Sequence, residues 1–177
     1  IFRQATDLYF DRHDGEAATI EDFILAMESA SGRDLKQFRL WYKQSGTPAV
    51  DVESSYFEET REFKLKFRQS CPDTPGQQNK EPFLIPIRFG LLDEGGADVV
   101  LNSNGDKETI LELVSSSHEI LIKDVPPNSV PSLLRGFSAP VKINYPYNAN
   151  QLAHLMRYDT DGFNRWDAGQ QLSTKIL

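Results

Sequence analysis

Cysteine is nearly absent. Cys71 stands alone among 177 residues, which excludes an internal disulfide and any Cys-x-x-Cys metal pair and fits a reducing compartment. There is no basic excess either: Lys+Arg number 19 against Asp+Glu 26, a net charge of −7. The positive footprint of a nucleic-acid binder is therefore missing, and DNA and RNA are not expected as partners. No run approaches the roughly 18 consecutive apolar residues of a membrane span. Ile1-Phe2-Arg3-Gln4 lacks the charged and apolar regions of a signal peptide, so a cytoplasmic location is expected. An initiator Met is lacking, and Ile1 begins inside helical pattern with no capping residue before it, as expected of a piece of a longer protein.

What is present divides into three stretches by period. Ile1, Ala5 and Leu8 line one helical face, and Asp14-Gly15 punctuates before Thr19 offers an N-cap. The next helix carries Phe23, Ala26, Met27 and Ala30 at spacings of three and four, and Ser31-Gly32 ends it. Asp34 is expected to cap a third helix bearing Leu35, Phe38 and Trp41, which Gly46 and Pro48 stop.

From Ala49 the period changes to two, the signature of half-buried strands. In Arg61 to Arg68, Phe63, Leu65 and Phe67 alternate with Glu62, Lys64 and Lys66, so one face is apolar and the other charged. Six further strands are expected: Val50 to Tyr56, Phe83 to Leu91, Ala97 to Leu101, Thr109 to Val114, Glu119 to Lys123 and Ala139 to Tyr145. Turn chemistry separates them at Pro72 to Gly76, Asp93 to Gly96, Asn102 to Gly105 and Pro126 to Asn128. About seven short strands with frequent turns predict an antiparallel β-sandwich of immunoglobulin-like architecture, although one Cys cannot supply the inter-sheet disulfide of antibody domains. After Tyr145-Pro146 the helical period returns. Asn148 can cap a helix bearing Leu152, Leu155 and Met156, and Asp161 one bearing Trp166, Leu172 and Ile176 that runs to Leu177. The fold class is thus mixed α and β, a sandwich flanked by N-terminal and C-terminal helices.

Candidate chemistry fails at each place where it is suggested. His118-Glu119-Ile120-Leu121-Ile122 opens like the zinc motif H-E-x-x-H, but Ile122 holds the place of the second His. The stretch also alternates like a strand, which spreads positions four apart over about 13 Å, too far for one metal. Asp11-Arg12-His13-Asp14 reads as a solvated helix end, where the dipole favours a cation. Asp159-Thr160-Asp161-Gly162 opens like a calcium loop, yet Phe163 and Gln170 stand where ligands are required. Ser115-Ser116-Ser117-His118 lacks the strained turn and aimed base that a nucleophile needs. Gly95, Gly96 and Gly105 fit turns, and Phe63, Phe67, Phe83 and Phe89 fit a core rather than a base-stacking platform. No catalytic, cofactor-binding or metal-ligating residue is assigned.

Three long stretches carry a resemblance. Asp7 to Gly15 with Ala17-Ala18-Thr19, leading through Phe23 and Ala26-Met27-Glu28 to Phe38-Arg39 and Trp41 to Pro48, is one. Val130-Pro131-Ser132-Leu133-Leu134-Arg135-Gly136-Phe137-Ser138-Ala139-Pro140-Val141 is the second, and Leu155-Met156-Arg157 with Asp161 to Ala168 the third. Together, in this order, they resemble the bacterial aminopeptidase N family of zinc gluzincin peptidases. The resemblance implies that residues 1–47 are the last helices of a thermolysin-like catalytic domain, 48–146 the small sandwich domain and 147–177 the first helices of a C-terminal helical domain. It also implies a parent enzyme that removes N-terminal residues from peptides, with zinc polarising the carbonyl and a Glu activating water. The zinc ligands and catalytic groups of that family lie upstream of the first stretch, so none is carried onto a residue here and the piece itself is expected to be inactive. Its expected partners are the parent's remaining domains, and exposed helix faces invite self-association. The alternative is a self-sufficient Ig-like module that binds a protein partner by a sheet edge or loop.

Overall fold

Thr19 begins the best-defined helix as its side chain and spacing require. Its Oγ1 accepts the Asp22 N–H, and the Asp22 carboxylate accepts the Thr19 N–H at 2.8 Å, a reciprocal capping box. Gly32, at φ 67°, closes the same helix in the left-handed conformation that glycine adopts without penalty. A computed structural model of the chain describes residues 1–176, with side chains through Lys175; Leu177, where the last helix was expected to end, and the side chain of Ile176 lie outside the described residues.

The chain forms two compact units, Ile1–Ser45 and Gly46–Leu177. In the first, α1 (Phe2–His13) packs on α2 (Ile20–Ser31), with Ala5, Ile24 and Ala26 buried and Tyr9 set edge-on against Phe23 at 5.3 Å. The expected third helix is cut to one turn, α3 (Leu40–Lys43). Asp34 makes a local turn instead of a cap: its carboxylate takes the Lys36 N–H at 2.7 Å, while the Leu35 N–H donates to Glu28 at 2.8 Å. Short polar side chains compete with the helix for backbone groups in this way. The bonds that follow mix i→i−3 type, as from Leu40 to Gln37 and from Trp41 to Phe38, with i→i−4 type, as from Lys43 to Arg39.

The second unit holds two sheets. One has the order β5-β2-β1-β7 and the other β4-β3-β6. The strands are β1 (Ala49–Phe57), β2 (Glu62–Ser70), β3 (Ile85–Leu92), β4 (Glu108–Leu113), β5 (Ser117–Ile122), β6 (Val130–Leu133) and β7 (Lys142–Asn144). Phe63, Leu65 and Phe67 enter the core as alternation requires, and Phe67 meets Phe89 of the facing sheet at 6.0 Å between ring centres. On the outer face of the same strand, Lys66 lies opposite Glu119 and pairs with it at 3.0 Å.

Three expectations are corrected here. Ala97 to Leu101 is a loop with one isolated bridge, between Leu92 and Asp98, because Asp93 and Gly96 fold the chain into a tight turn and Asp98 is drawn elsewhere. A strand not foreseen, β6, takes its place; Pro131 within it can sit there because β6 is the edge of its sheet. The last expected strand shrinks to Lys142–Asn144, since the Val141 N–H turns back to Ala139 O at 2.9 Å. This strand runs parallel to β1, so the sandwich is not wholly antiparallel.

Two helices follow, α4 (Ala149–Tyr158) and α5 (Gly162–Ile176). Asn148 and Gln151 form a capping box at 2.9 and 3.0 Å, and Asp161 accepts the Asn164 N–H at 2.9 Å. Leu152, Leu155 and Ala168 bury against Leu92, Val130 and Tyr147, with Leu172 packed beside them. Met156 and Trp166, which these helices carry at helical spacing, point outward at 46% and 59% exposure. The inward places between them are taken by Leu155, Asn164 and Ala168.

Candidate functional site

Beneath α5 lies an arginine that the strand and helix patterns do not explain. Arg135 follows β6 in a short 3-10 turn, Arg135–Phe137, and is 3% exposed. Its Nη2 donates to Asp98 Oδ1 at 2.6 Å and lies 3.6 Å from Asp159 Oδ1; Nη1 is 3.7 Å from Glu108, and Nε donates to Ser132 Oγ at 2.8 Å. Ser132 completes the knot. Its hydroxyl donates to Asp159 Oδ2 at 2.6 Å and accepts from Asn164 Nδ2 at 2.8 Å, so strand β6, the α4–α5 corner and α5 share one oxygen.

The surroundings are shaped to admit this cluster. A Cβ on Gly90 would fall 2.6 Å from Arg135 Cζ, so the guanidinium rests directly on the β3 backbone. Leu134 and Phe137 adopt left-handed φ angles of 59° and 50°, with Gly136 at 63° between them. Two such non-glycine residues cost on the order of 1–3 kcal/mol each, and that cost has to be offset by the contacts the turn enables. Here it sends the Gly136 N–H to Asp161 Oδ2 at 2.9 Å while the Asp161 N–H donates to Asp159 Oδ1 at 2.9 Å. Thr160 adds a bond to Asp98 at 3.0 Å. Tyr147, buried nearby, donates its hydroxyl to Pro131 O at 2.7 Å; burial, with Tyr145, Asp159 and Asp167 adding to it, pushes its phenol well above the ordinary range.

Chemically this is a fastening and not a reaction centre. The guanidinium donors are taken up by carboxylates and a hydroxyl, and among the described residues no buried side-chain polar atom lacks a partner. A buried ion pair contributes little beyond a well-packed apolar replacement, but its loss leaves stranded charge. The cluster therefore specifies one arrangement of α4 and α5 on the sandwich.

The residues weighed from the sequence lie apart from it, with one exception. His118 is exposed on edge strand β5 opposite Phe67, and Ile122 is buried in the core. His13 ends α1 beside Tyr9, at 5.6 Å between rings. Ser115 Oγ donates to Ser117 O at 2.8 Å, closing the β4–β5 connection. Asp159, Thr160 and Asp161 enter the cluster, as partners of Arg135, Ser132, Asp98 and Gly136. Among the described residues no three His, Cys, Asp or Glu side chains gather where they could hold a metal ion, so this stretch does not fit a zinc centre. Arg135, Asp98 and Ser132 were not singled out; the available signal was a lone charge before Gly136 in the apolar run from Val130 to Val141.

The first unit has a looser counterpart. Arg39 donates to Glu28 at 2.7 and 3.0 Å and to Glu21 at 2.8 and 3.0 Å. The Arg39 guanidinium, with the Leu35 N–H, holds the Glu28 carboxyl down to about 2, and the two carboxylates push Arg39 above its ordinary range.

Comparison with known proteins places this arrangement. A family model described as a domain of unknown function (DUF3458) with an Ig-like fold matches residues 46–146, and one described as its C-terminal ARM repeats (DUF3458_C) matches residues 149–177. The chain is 43% identical to aminopeptidase N of Escherichia coli (strain K12) over 97% of its own length and 20% of that protein. It is 44% identical to aminopeptidase N of Caulobacter vibrioides over 99% of its length and 20% of that protein. A crystal structure of Legionella pneumophila aminopeptidase A in complex with aspartic acid superposes with a TM-score of 0.80 at 36% identity, covering 95% of this chain and 18% of that one. The chain thus spans about a fifth of the length of the curated relatives it matches. No helix among the described residues is long and apolar enough to cross a membrane.

Proposed function

This chain belongs to the aminopeptidase N family, and we propose from that premise that it is the bracing body of a larger zinc aminopeptidase. In this reading residues 1–47 close the catalytic domain, 48–146 form the spacer sandwich and 147–177 open the helical domain. The parent removes N-terminal residues from peptides in the cytoplasm, and its zinc ligands and catalytic carboxylate come from residues outside this chain. The observation that carries the reading is the Arg135 cluster. A module built to bind a partner by a sheet edge or loop has no need to bolt two helices to its outer surface with buried charge. A body that fixes the direction in which a helical domain departs does need it. The relatives named above are aminopeptidases of which this chain matches about a fifth, and they do not favour the self-sufficient binding module.

The test separates the piece from the whole. The purified chain, dialysed after exposure to zinc, is expected to retain no stoichiometric metal by elemental analysis and to hydrolyse no aminoacyl anilide. The product of the complete gene is expected to do both, with an H-E-x-x-H motif upstream of Ile1. Stoichiometric zinc or hydrolysis in the chain alone would sink the proposal. In isolation at micromolar concentration, its exposed helix faces are expected to draw copies together. Light scattering that gives a monomer, with no dye binding, would reject that part.

A further inference from the structure

Asp98 and Glu108, which both face Arg135, are joined by a loop whose tip holds the one Asn-Gly pair in the sequence, Asn104-Gly105. The loop closes as a short hairpin: the Leu101 N–H donates to Asp106 O at 2.7 Å and the Gly105 N–H to Asn102 O at 3.1 Å. Every residue from Asn102 to Lys107 is exposed.

Two asparagines, two positions apart at this tip, are in opposite situations. Asn102 is tied down. Its Oδ1 accepts the Asn104 N–H at 3.0 Å and the Asp106 N–H at 3.2 Å, while its Nδ2 donates to Asp106 Oδ2 at 2.9 Å. Contacts of this kind fix a short polar side chain against its own backbone. The Asn104 side chain has no hydrogen-bond partner among the described residues, and the residue that follows it is a glycine at φ 85°. A Cβ built on Gly105 would meet no atom within 4 Å. With no side chain of its own, that glycine leaves its backbone nitrogen unshielded. A free amide, an unshielded nucleophile and open space therefore coincide at one peptide bond, and asparagine is among the thermolabile residues.

We infer that Asn104 is a site of spontaneous deamidation in the folded protein, and that the same loop holds Asn102 inert. The Gly105 backbone nitrogen attacks Asn104 Cγ and gives up its proton, the Cγ–Nδ2 bond breaks, and ammonia leaves a five-membered succinimide. Water then opens the ring at either carbonyl. The product is aspartate at position 104 or isoaspartate, in which the main chain runs through Cβ and Cγ. One water is consumed and one ammonia released, with no oxidant or reductant. Attack requires the Gly105 N–H to leave Asn102 O, so the opening of that exposed turn bond sets the pace. The new carboxylate adds one negative charge to the −7 of the chain. Below the tip, the Leu101–Asp106 bond and the bond from the Val99 N–H to Leu91 O at 2.9 Å stand between it and Asp98. Exposed loop tips are where change is tolerated, and the Arg135 fastening stays in place.

The test ages the complete gene product for weeks at body temperature in mildly alkaline water enriched in heavy oxygen, followed by peptide mass spectrometry. A methyltransferase specific for isoaspartyl carboxyls is the second probe. Conversion is expected at Asn104, with heavy oxygen incorporated and isoaspartate formed, while Asn102 stays intact. In urea Asn102 is expected to convert as well, because its side-chain bonds are lost. An Asn104 that persists, or an Asn102 that converts first in the folded protein, would overturn the inference. Asn102→Ala gives an independent reading. It removes the bonds that steady the turn and leaves the Asn104-Gly105 bond itself unchanged, so conversion at position 104 is expected to quicken severalfold. An unchanged rate would refute turn opening as the step that sets the pace. Asn104→Asp, the aspartyl product made outright, is expected to keep the melting temperature of the unmodified protein. A fall of several degrees would show that the change reaches the Arg135 cluster and would reject its confinement to the tip.

Discussion

Arg39 and Arg135 hold the same kind of partners in very different surroundings. Arg39 faces two carboxylates and Arg135 three, but the Arg39 side chain is 13% exposed with Glu21 at 49% and Glu28 at 23%, whereas Arg135 is 3% exposed with Asp98 at 13%, Asp159 at 0% and only Glu108, at 51%, near water. Near water, each ion can be rehydrated when its partner is lost, and the net contribution of the pair is small. In the interior the pair scarcely improves on apolar packing, yet either ion alone is costly. The difference lies in what remains after one partner is removed. Arg39 belongs to an adjustable surface contact, and Arg135 to a fastening that holds in one arrangement or fails.

The sharpest way to break this comparison is to remove the buried cation. Arg135→Ala should destabilise the second unit by about 3–5 kcal/mol in urea unfolding, because Asp98 and Asp159 are left facing each other without a counter-ion. Arg135→Lys should recover little of it, since a single ammonium cannot reproduce the bonds to Ser132 and Asp98 together. A loss below about 1 kcal/mol would place Arg135 in the same class as Arg39. A smaller effect is expected from Gly90→Ala. Its Cβ would meet the guanidinium at 2.6 Å, and pushing Arg135 off the sheet should cost roughly 1–3 kcal/mol, the range of core overpacking. An unchanged urea midpoint would mean that the cluster yields more freely than its burial suggests.

The mildest effect belongs to the first unit and appears only in acid. The folded Glu28 carboxyl is held at about 2, against an ordinary value of 4.5, chiefly by its hydrogen bonds from Arg39. With the folded value depressed, the unfolded chain takes up the proton first as pH falls. The stabilisation is therefore complete above about 4.5 and disappears as pH drops through about 2. Helical signal from the first unit followed between these limits should show a decline that Arg39→Gln abolishes. A slope that survives the substitution would assign it to other carboxylates.

Legibility in the sequence followed the range of the interaction. Thr19 with Asp22 and Asn148 with Gln151 are contacts across three residues, and both caps were readable from spacing. The alternation of Phe63, Leu65 and Phe67 is equally local, and so was the face they present. Asp34 misled because a turn and a cap use the same side-chain oxygen, and Glu28, seven residues before Leu35, decided between them. The cluster at Arg135 joins residues 37 positions apart at Asp98 and 32 apart at Ser132 and Asn164. No period records such distances. Asp98 lay within an expected strand, and Ser132 outside the seven strands read from the period. Trp166 and Leu172 were read onto one helix by their spacing, but which side of it meets the sandwich was not legible; Asn164 and Ala168 occupy that side and Trp166 is exposed.

The parallel pairing of β7 with β1 places Lys142 beside Ala49 and Asn144 beside Asp51, with the Lys142 N–H bonded to Pro48 O at 3.0 Å. The polypeptide thus enters and leaves the sandwich at one edge, on neighbouring strands separated by about 4.8 Å. Nearly a hundred residues are inserted between Pro48 and Tyr145, which stand at opposite ends of a parallel ladder three residue pairs long. Lineages could lengthen, shorten or exchange the intervening hairpins without altering that ladder. Tension applied across the two points would load three residue pairs in shear, while the hairpins beyond them carried none of it.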